Sequence, residues 1–207
     1  MRIALLGGTG RIGGELTGLL LAAGHGVVVL ARRPESVRAA AGLSVVAGDA
    51  LDADAVAAVI RGSDAVMSAL GPRGRKSPGL LARAATNTVA AMNEADVKRL
   101  IAVSAAGAVI GADPDSGALV RLILPRIFAS QFADTRAMEE VIRASDLDWT
   151  LVRATRLVNR PANGRYRTRS DFPPPGGMTI SRAHVAQFMV DALDQHSWTC
   201  AAPTLAY

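Results

Sequence analysis

The chain has 207 residues, half of them hydrophobic, a formal net charge of +5 and one cysteine, Cys200. That length suits one well-buried domain and is short for two, and a lone cysteine excludes an internal disulfide or a cysteine-cluster metal site. No apolar run reaches the roughly 18 residues of a membrane span, and His25, His184 and His196 lack paired-ligand spacing. The N-terminus lacks the basic-then-apolar order of a signal peptide, so a cytoplasmic, metal-free protein is expected. Nearly all basic residues are arginine, with only Lys76 and Lys98 as lysine, a bias that accounts for the high charge without invoking nucleic acid.

Residues 1–6 form an apolar run of strand length that reaches Gly7-Gly8-Thr9-Gly10-Arg11-Ile12-Gly13-Gly14, and residues 15–23 have helical spacing. Strand, glycine turn and helix in that order make the phosphate-cradling unit of dinucleotide-binding folds. Backbone N–H groups must approach a pyrophosphate, a Cβ there would hold the ligand away, and the helix N-terminus offers unpaired donors. Two registers fit: Gly8, Gly10 and Gly13, or the looser Gly7, Gly10 and Gly13.

Residues 27–30 read as a second strand, buried on both faces. It ends in Arg32-Arg33, with no acid until Glu35. An acid there would hold an NAD ribose, whereas a cation accommodates the 2′-phosphate of NADP. Arg32 and Arg33, with Ser36 and Arg38 in reach, therefore favour NADP. Residues 43–47 are a third strand, followed by Asp49-Ala50-Leu51; Asp49 meets the adenine, or else Asp49 or Asp52 caps the helix at 53–60. A fourth strand at 65–70 runs into Gly71-Pro72-Arg73, a cationic loop able to reach a pyrophosphate or a substrate anion, or simply a solvated loop.

A helix is expected at 80–94 and a fifth strand at 100–104, placing Ser104 at a carboxyl end beside the expected nicotinamide. Residues 108–130 allow a lid, a pocket wall or a plain helix. Further elements are a helix at 131–144, a sixth strand at 148–153, a strand-like alternation at 166–168, and a helix from Arg182 to Leu193 with Ser181 as its cap. A short last strand around Thr204 and Leu205 completes the pattern. Residues 156–169 hold Arg156, Arg160, Arg165, Arg167 and Arg169 without one acid. The alternation predicts one Rossmann-like domain over 1–207, a doubly wound parallel sheet of six or seven strands with helices on both faces. Its substrate pocket is expected from 105–130 and 154–180.

Together these residues resemble the atypical short-chain dehydrogenase/reductases of the NAD(P)H-binding type, in particular the biliverdin-IXβ/flavin reductase branch. The resemblance is carried by the glycine turn 7–13, Arg32, Val46-Ala47-Gly48-Asp49-Ala50-Leu51, Leu70-Gly71-Pro72-Arg73, and Asn87 with Val97-Lys98-Arg99-Leu100-Ile101. Ser104-Ala105, Ser145-Asp146-Leu147-Asp148-Trp149-Thr150 and Thr179-Ile180-Ser181-Arg182 complete it. It implies NADPH contacts from Gly7, Thr9, Gly10, Arg11, Ile12, Arg32, Arg33, Asp49, Ala50, Leu51, Ala69, Leu70, Gly71, Arg73, Ser104 and Ala105. Ser104, Thr155 and Arg156 are the expected catalytic groups.

Two departures bear on the reaction. The Tyr-x-x-x-Lys pair that passes a proton to a carbonyl is absent; Phe132 and Arg136 have that spacing without that chemistry. Arg156 stands where the branch has a histidine, and Ala154 and Thr155 replace the usual prolines. The expected activity is NADPH-dependent hydride transfer to a flat, conjugated, anionic acceptor such as a flavin, bilin or quinone-like molecule, by a monomer or homodimer. The alternative is a non-catalytic NADP sensor similar to the nitrogen-metabolite-repression regulators. An epimerase or dehydratase would also need the tyrosine, and nucleic-acid binding would rest on the 156–169 stretch alone.

Overall fold

In a computed structural model, residues 1–71, 79–113, 126, 129–162 and 164–207 are described. The first strand, β1 (Arg2–Leu6), buries Ile3, Ala4, Leu5 and Leu6 completely. Successive side chains of a strand point to opposite faces, so an unbroken apolar run needs cover on both. Ile3 and Leu5 pack with α1 (Arg11–Ala22) and α5 (Arg182–Asp194). Ala4 and Leu6 pack with α2 (Ala53–Ile60), α3 (Leu80–Glu94) and α4 (Ala129–Arg143) on the other side.

The remaining main-sheet strands are β2 (Gly26–Ala31), β3 (Leu43–Ala47), β4 (Ala65–Ser68), β5 (Arg99–Ala105), β6 (Asp148–Ala154), β8 (Arg167–Ser170) and β10 (Pro203–Ala206). They form an eight-stranded sheet in the order β3-β2-β1-β4-β5-β6-β10-β8. Every pairing is parallel except β10 with β8, which is antiparallel. Two short strands, β7 (Arg156–Val158) and β9 (Thr179–Ser181), pair in parallel as a separate ribbon. The Rossmann-like sheet with helices on both faces is thus present, one strand wider than expected. The alternation expected at 166–168 is present as β8, an edge strand of sequence Arg-Thr-Arg-Ser with a weak apolar signal.

Local differences have local causes. Helix α1 starts at Arg11 rather than near residue 15; its first turn holds Gly13 and Gly14, poor helix formers whose propensity points to a later start. Strand β4 stops at Ser68, leaving Ala69 and Leu70 to follow as loop. In the stretch 108–130, 3-10 turns occupy Ala106–Ala108 and Ile110–Ala112, and α4 begins at Ala129. Residues 114–125 and 127–128, which hold most of the expected lid or pocket wall, lie outside the described residues.

The helix ends show how distant segments are tied together. Asp52 caps α2 by accepting from the Asp54 and Ala55 N–H groups, and Ser181 caps α5 through the His184 N–H. Helix α3 has no such cap of its own: Gly79 stands there in a left-handed conformation. Instead Asp134 of α4 reaches across, its two carboxylate oxygens accepting from Leu81 N and Ala82 N at 3.1 Å each. At the amino end of β5, the buried Arg99 guanidinium donates to the carbonyls of Asp148, Ala192 and Ser197 and to Thr150 Oγ1. Burial holds its pKa below the usual arginine value, partly opposed by Asp148.

Replacing Asp134 by Ala leaves two buried donors of α3 unpaired, so we expect a stability loss of about 1–3 kcal/mol in urea unfolding. A midpoint unchanged from the parent protein contradicts this cross-helix cap.

Candidate active site

The glycine turn is shaped first by the protein around it. Gly7 has φ +79°, and a Cβ there would lie 2.8 Å from the Ala69 carbonyl. At Gly8 it would meet Val29 at 2.7 Å, and at Gly13 it would come within 2.1 Å of the Gly7 carbonyl oxygen. These three glycines let the turn sit against the Ala69–Leu70 backbone, β2 and the start of α1. Gly10 differs: among the described residues a Cβ there would meet only the Gly7 carbonyl oxygen, at 3.1 Å, and as the α1 N-cap it supplies no side-chain acceptor. No acid occupies the first turn of α1, so its open N–H groups and dipole end suit an anion. Ile12 is buried and offers that anion only its backbone, while the Arg11 side chain is exposed beside it.

Arg32 follows β2 and separates two clefts. One, of about 450 Å³, is lined by Thr9, Gly10, Arg32, Arg33, Ser36 and Arg38 among others. It exists because the connection from β2 to β3 contains only the 3-10 turn Pro34–Ser36, where a crossover helix would otherwise fill the space. The other, of about 70 Å³, is lined by Arg32, Asp49, Ala50, Leu70 and Gly71 with Gly7, Thr9 and Gly48. Arg32 Nη1 stands 3.7 Å from Asp49 Oδ2, and both side chains are nearly half exposed, so solvent screens the pair. Asp52 being the helix cap, Asp49 closes its own turn instead, its Oδ1 accepting from the Leu51 N–H at 3.0 Å. Asn87 donates to the Ala50 carbonyl and fixes this segment from α3. Of the loop after β4, Ala69 packs its backbone under Gly7, Leu70 and Gly71 line the smaller cleft, and Arg73 lies outside the described residues.

At the carboxyl ends of β5 and β6 the expected reaction residues are all hydrogen-bonded to protein. The Ser104 hydroxyl donates to Glu139 Oε1 at 2.5 Å. Arg153 Nε donates to the same oxygen at 2.9 Å, and its Nη2 donates to Glu139 Oε2. The Thr155 hydroxyl donates to the Leu205 carbonyl. Arg156 opens β7; its N–H donates to the Met178 carbonyl and its side chain is exposed. Ala105 pairs in register with Ala154, so Ser104-Ala105 and Thr155-Arg156 leave neighbouring strands at the same edge.

Phe132 and Arg136, the residues with the Tyr-x-x-x-Lys spacing, both make contacts within the protein. The Phe132 ring fills the space where a Gly107 Cβ would be, 2.1 Å from its Cζ, and Arg136 points at the Ala108 carbonyl oxygen at 3.4 Å. Glu139 and Arg153 were not anticipated as site residues. The available signal was Arg153 itself, a charge inside the apolar run of β6, which demands a buried partner. Among the described residues no cluster of acids, histidines or cysteines could hold a metal ion.

A family model described as NAD(P)H-binding matches residues 7–196. Among solved structures, a candidate exported protein of Burkholderia pseudomallei is 28% identical with a TM-score of 0.83, covering all of both chains. A short-chain dehydrogenase/reductase of Veillonella parvula DSM 2008, solved with NADP, is 18% identical with a TM-score of 0.83 over 100% of this chain and 94% of its own. ChuY, an anaerobilin reductase of Escherichia coli O157:H7, is 21% identical with a TM-score of 0.79 over 100% and 97%.

Gly13→Ala drives a methyl into the turn and is expected to weaken NADPH binding about tenfold or more, by titration calorimetry. Gly18→Ala is the control: it sits on the exposed side of α1 with open space around it, so binding should persist and stability rise by about 0.5–1 kcal/mol. Equal affinity in both variants contradicts the packing role of Gly13. The glycine cradle, the arginine between the two clefts and a family match spanning residues 7–196 make this chain a member of the NAD(P)H-binding family.

Proposed function

We propose that the protein is an NADPH-dependent reductase whose acceptor is a flat, conjugated, anionic molecule such as a flavin, a bilin or a quinone-like compound. The observation that carries this reading is the fate of the protons at the β5–β6 edge. The hydroxyls of Ser104 and Thr155 both donate inward, to Glu139 and to Leu205. Phe132 and Arg136 have the Tyr-x-x-x-Lys spacing without its chemistry, so among the described residues that pair offers no acid for a carbonyl oxygen. An acceptor that takes hydride into a conjugated ring needs positioning more than a protein acid, because solvent supplies its proton.

When bound, the cofactor supplies the hydride; the chain's residues bind and orient. Gly10 and the first turn of α1 receive the pyrophosphate, and Arg32 with Arg33 and Arg38 takes the 2′-phosphate, which favours NADP over NAD. Asp49 and Ala50 border the adenine. Ser104 and Ala105 border the nicotinamide. The exposed Arg156, Arg160 and Arg165 offer charge to an acceptor's phosphate or carboxylate. The pocket is drawn from 105–130 and 154–180 within a single domain. Such chemistry depends on the intracellular pool of reduced cofactor, so we place it in the cytoplasm. Among the described residues no helix is long and apolar enough to cross a membrane.

Two measurements test this. NADPH oxidation is followed with FMN, FAD and quinones as acceptors, and turnover above background is expected for at least one. Tight NADP binding without turnover of any acceptor overturns the reductase reading and leaves an NADP sensor. Separately, Arg32→Ala should weaken NADPH about tenfold while changing NADH less than about threefold. Equal losses for the two cofactors contradict a 2′-phosphate role.

A further inference from the structure

Ser104, Arg153, Thr204 and Arg169 lie in one row across the sheet: Ser104 pairs in register with Arg153, Arg153 with Thr204, and Thr204 with Arg169. This row is polar where the rows beneath it, through Ala102, Leu151 and Ala202, are apolar. Above it stands Glu139 of α4, and Glu139, Arg153 and Ser104 are each at most 6% exposed. Ion pairs this deep gain little stability over an apolar replacement, so what they fix is geometry.

The geometry fixes a direction. Glu139 Oε1 accepts from Ser104 Oγ and Arg153 Nε, and Oε2 accepts from Arg153 Nη2, with Arg143 Nε at 3.9 Å. Arg153 is held by all three of its nitrogens, its Nη1 donating to the Asp171 carbonyl at 2.7 Å. A guanidinium is always charged, so its bidentate partner is a carboxylate, which accepts only. The Ser104 hydrogen therefore points at Glu139, and only the oxygen lone pairs remain for anything bound at the carboxyl edge of β5.

We propose that Glu139, clamped by Arg153, is a positioning residue that makes Ser104 a pure hydrogen-bond acceptor, selecting the amide N–H of the nicotinamide carboxamide and rejecting a carbonyl oxygen in its place. The inference rests on the reading that the nicotinamide lies beside Ser104. It also makes Ser104 unable to polarise a substrate carbonyl, which narrows the acceptors to those that need no such help.

The test is a binding ratio that requires no turnover. Affinities of NADP⁺ and of its 3-acetylpyridine analogue, whose acetyl group has a carbonyl but no amide N–H, are compared by titration calorimetry. The parent protein should prefer NADP⁺ by about tenfold, the cost of facing an unpaired acceptor. Ser104→Ala should bring the ratio near one. In Glu139→Leu the acceptor of the Ser104 hydrogen is gone, so the serine hydroxyl is freed to donate and the preference should vanish or invert. A folded Glu139→Leu protein with the parent's ratio overturns the proposal. If that variant does not fold, Ser104→Ala decides alone: an unchanged ratio overturns the proposal, and a ratio near one supports it. Absence of acceptor turnover with the ratio behaving as expected counts against the reductase reading and leaves this inference standing.

Discussion

Where the turn after β1 meets α1 there is no room for a side chain. A carbonyl oxygen, that of Gly7, occupies the space that a side chain at Gly13 would need. Because that space is shared, α1 can begin directly off the turn and its first N–H groups come to the carboxyl edge of the sheet. The rest of the site inherits its position from this contact. The Ala69 backbone lies against Gly7, Val29 lies against Gly8, and Arg32 follows β2 at the same edge. Binding of the dinucleotide is in this sense a by-product of packing: the same absence of Cβ atoms that seats the helix leaves its N-terminus bare.

Charge is buried along the β5–β6 seam at both of its ends. At the amino end, Arg99 ties β6 to α5 and the turn after it, donating to the carbonyls of Asp148, Ala192 and Ser197 and to Thr150 Oγ1. At the carboxyl end, Arg153 and Glu139 do something different, since their geometry reaches Ser104 at the end of β5. One buried arginine is a fastener; the other orients.

Much of this was legible in the residues. Strands β1 and β2 are apolar on both faces and bounded by glycines, and helix α3 is bounded as its spacing predicts. Edge strand β8 was faint because its alternating arginines carry no hydrophobic period, and the start of α1 was obscured by glycines that propensity counts against a helix. Within the site, Arg32 and Asp49 could be placed by distance from the turn. Asp134 and Glu139 could not: their partners lie 52 or 53 and 35 residues away. Only the folded sheet brings these together, and neither residue belongs to a short motif.

Helix α4 gathers four of these contacts on one rod. Phe132 stacks on Gly107, Asp134 holds the start of α3, Arg136 points at Ala108, and Glu139 grips Arg153 and Ser104. A helix advances about 100° per residue, set by its 3.6 residues per turn. One residue inserted or deleted between Phe132 and Glu139 sets the two ends of the rod at odds. The segment thus behaves as an indivisible word of eight letters, free to drift in spelling on its solvent side but not in length.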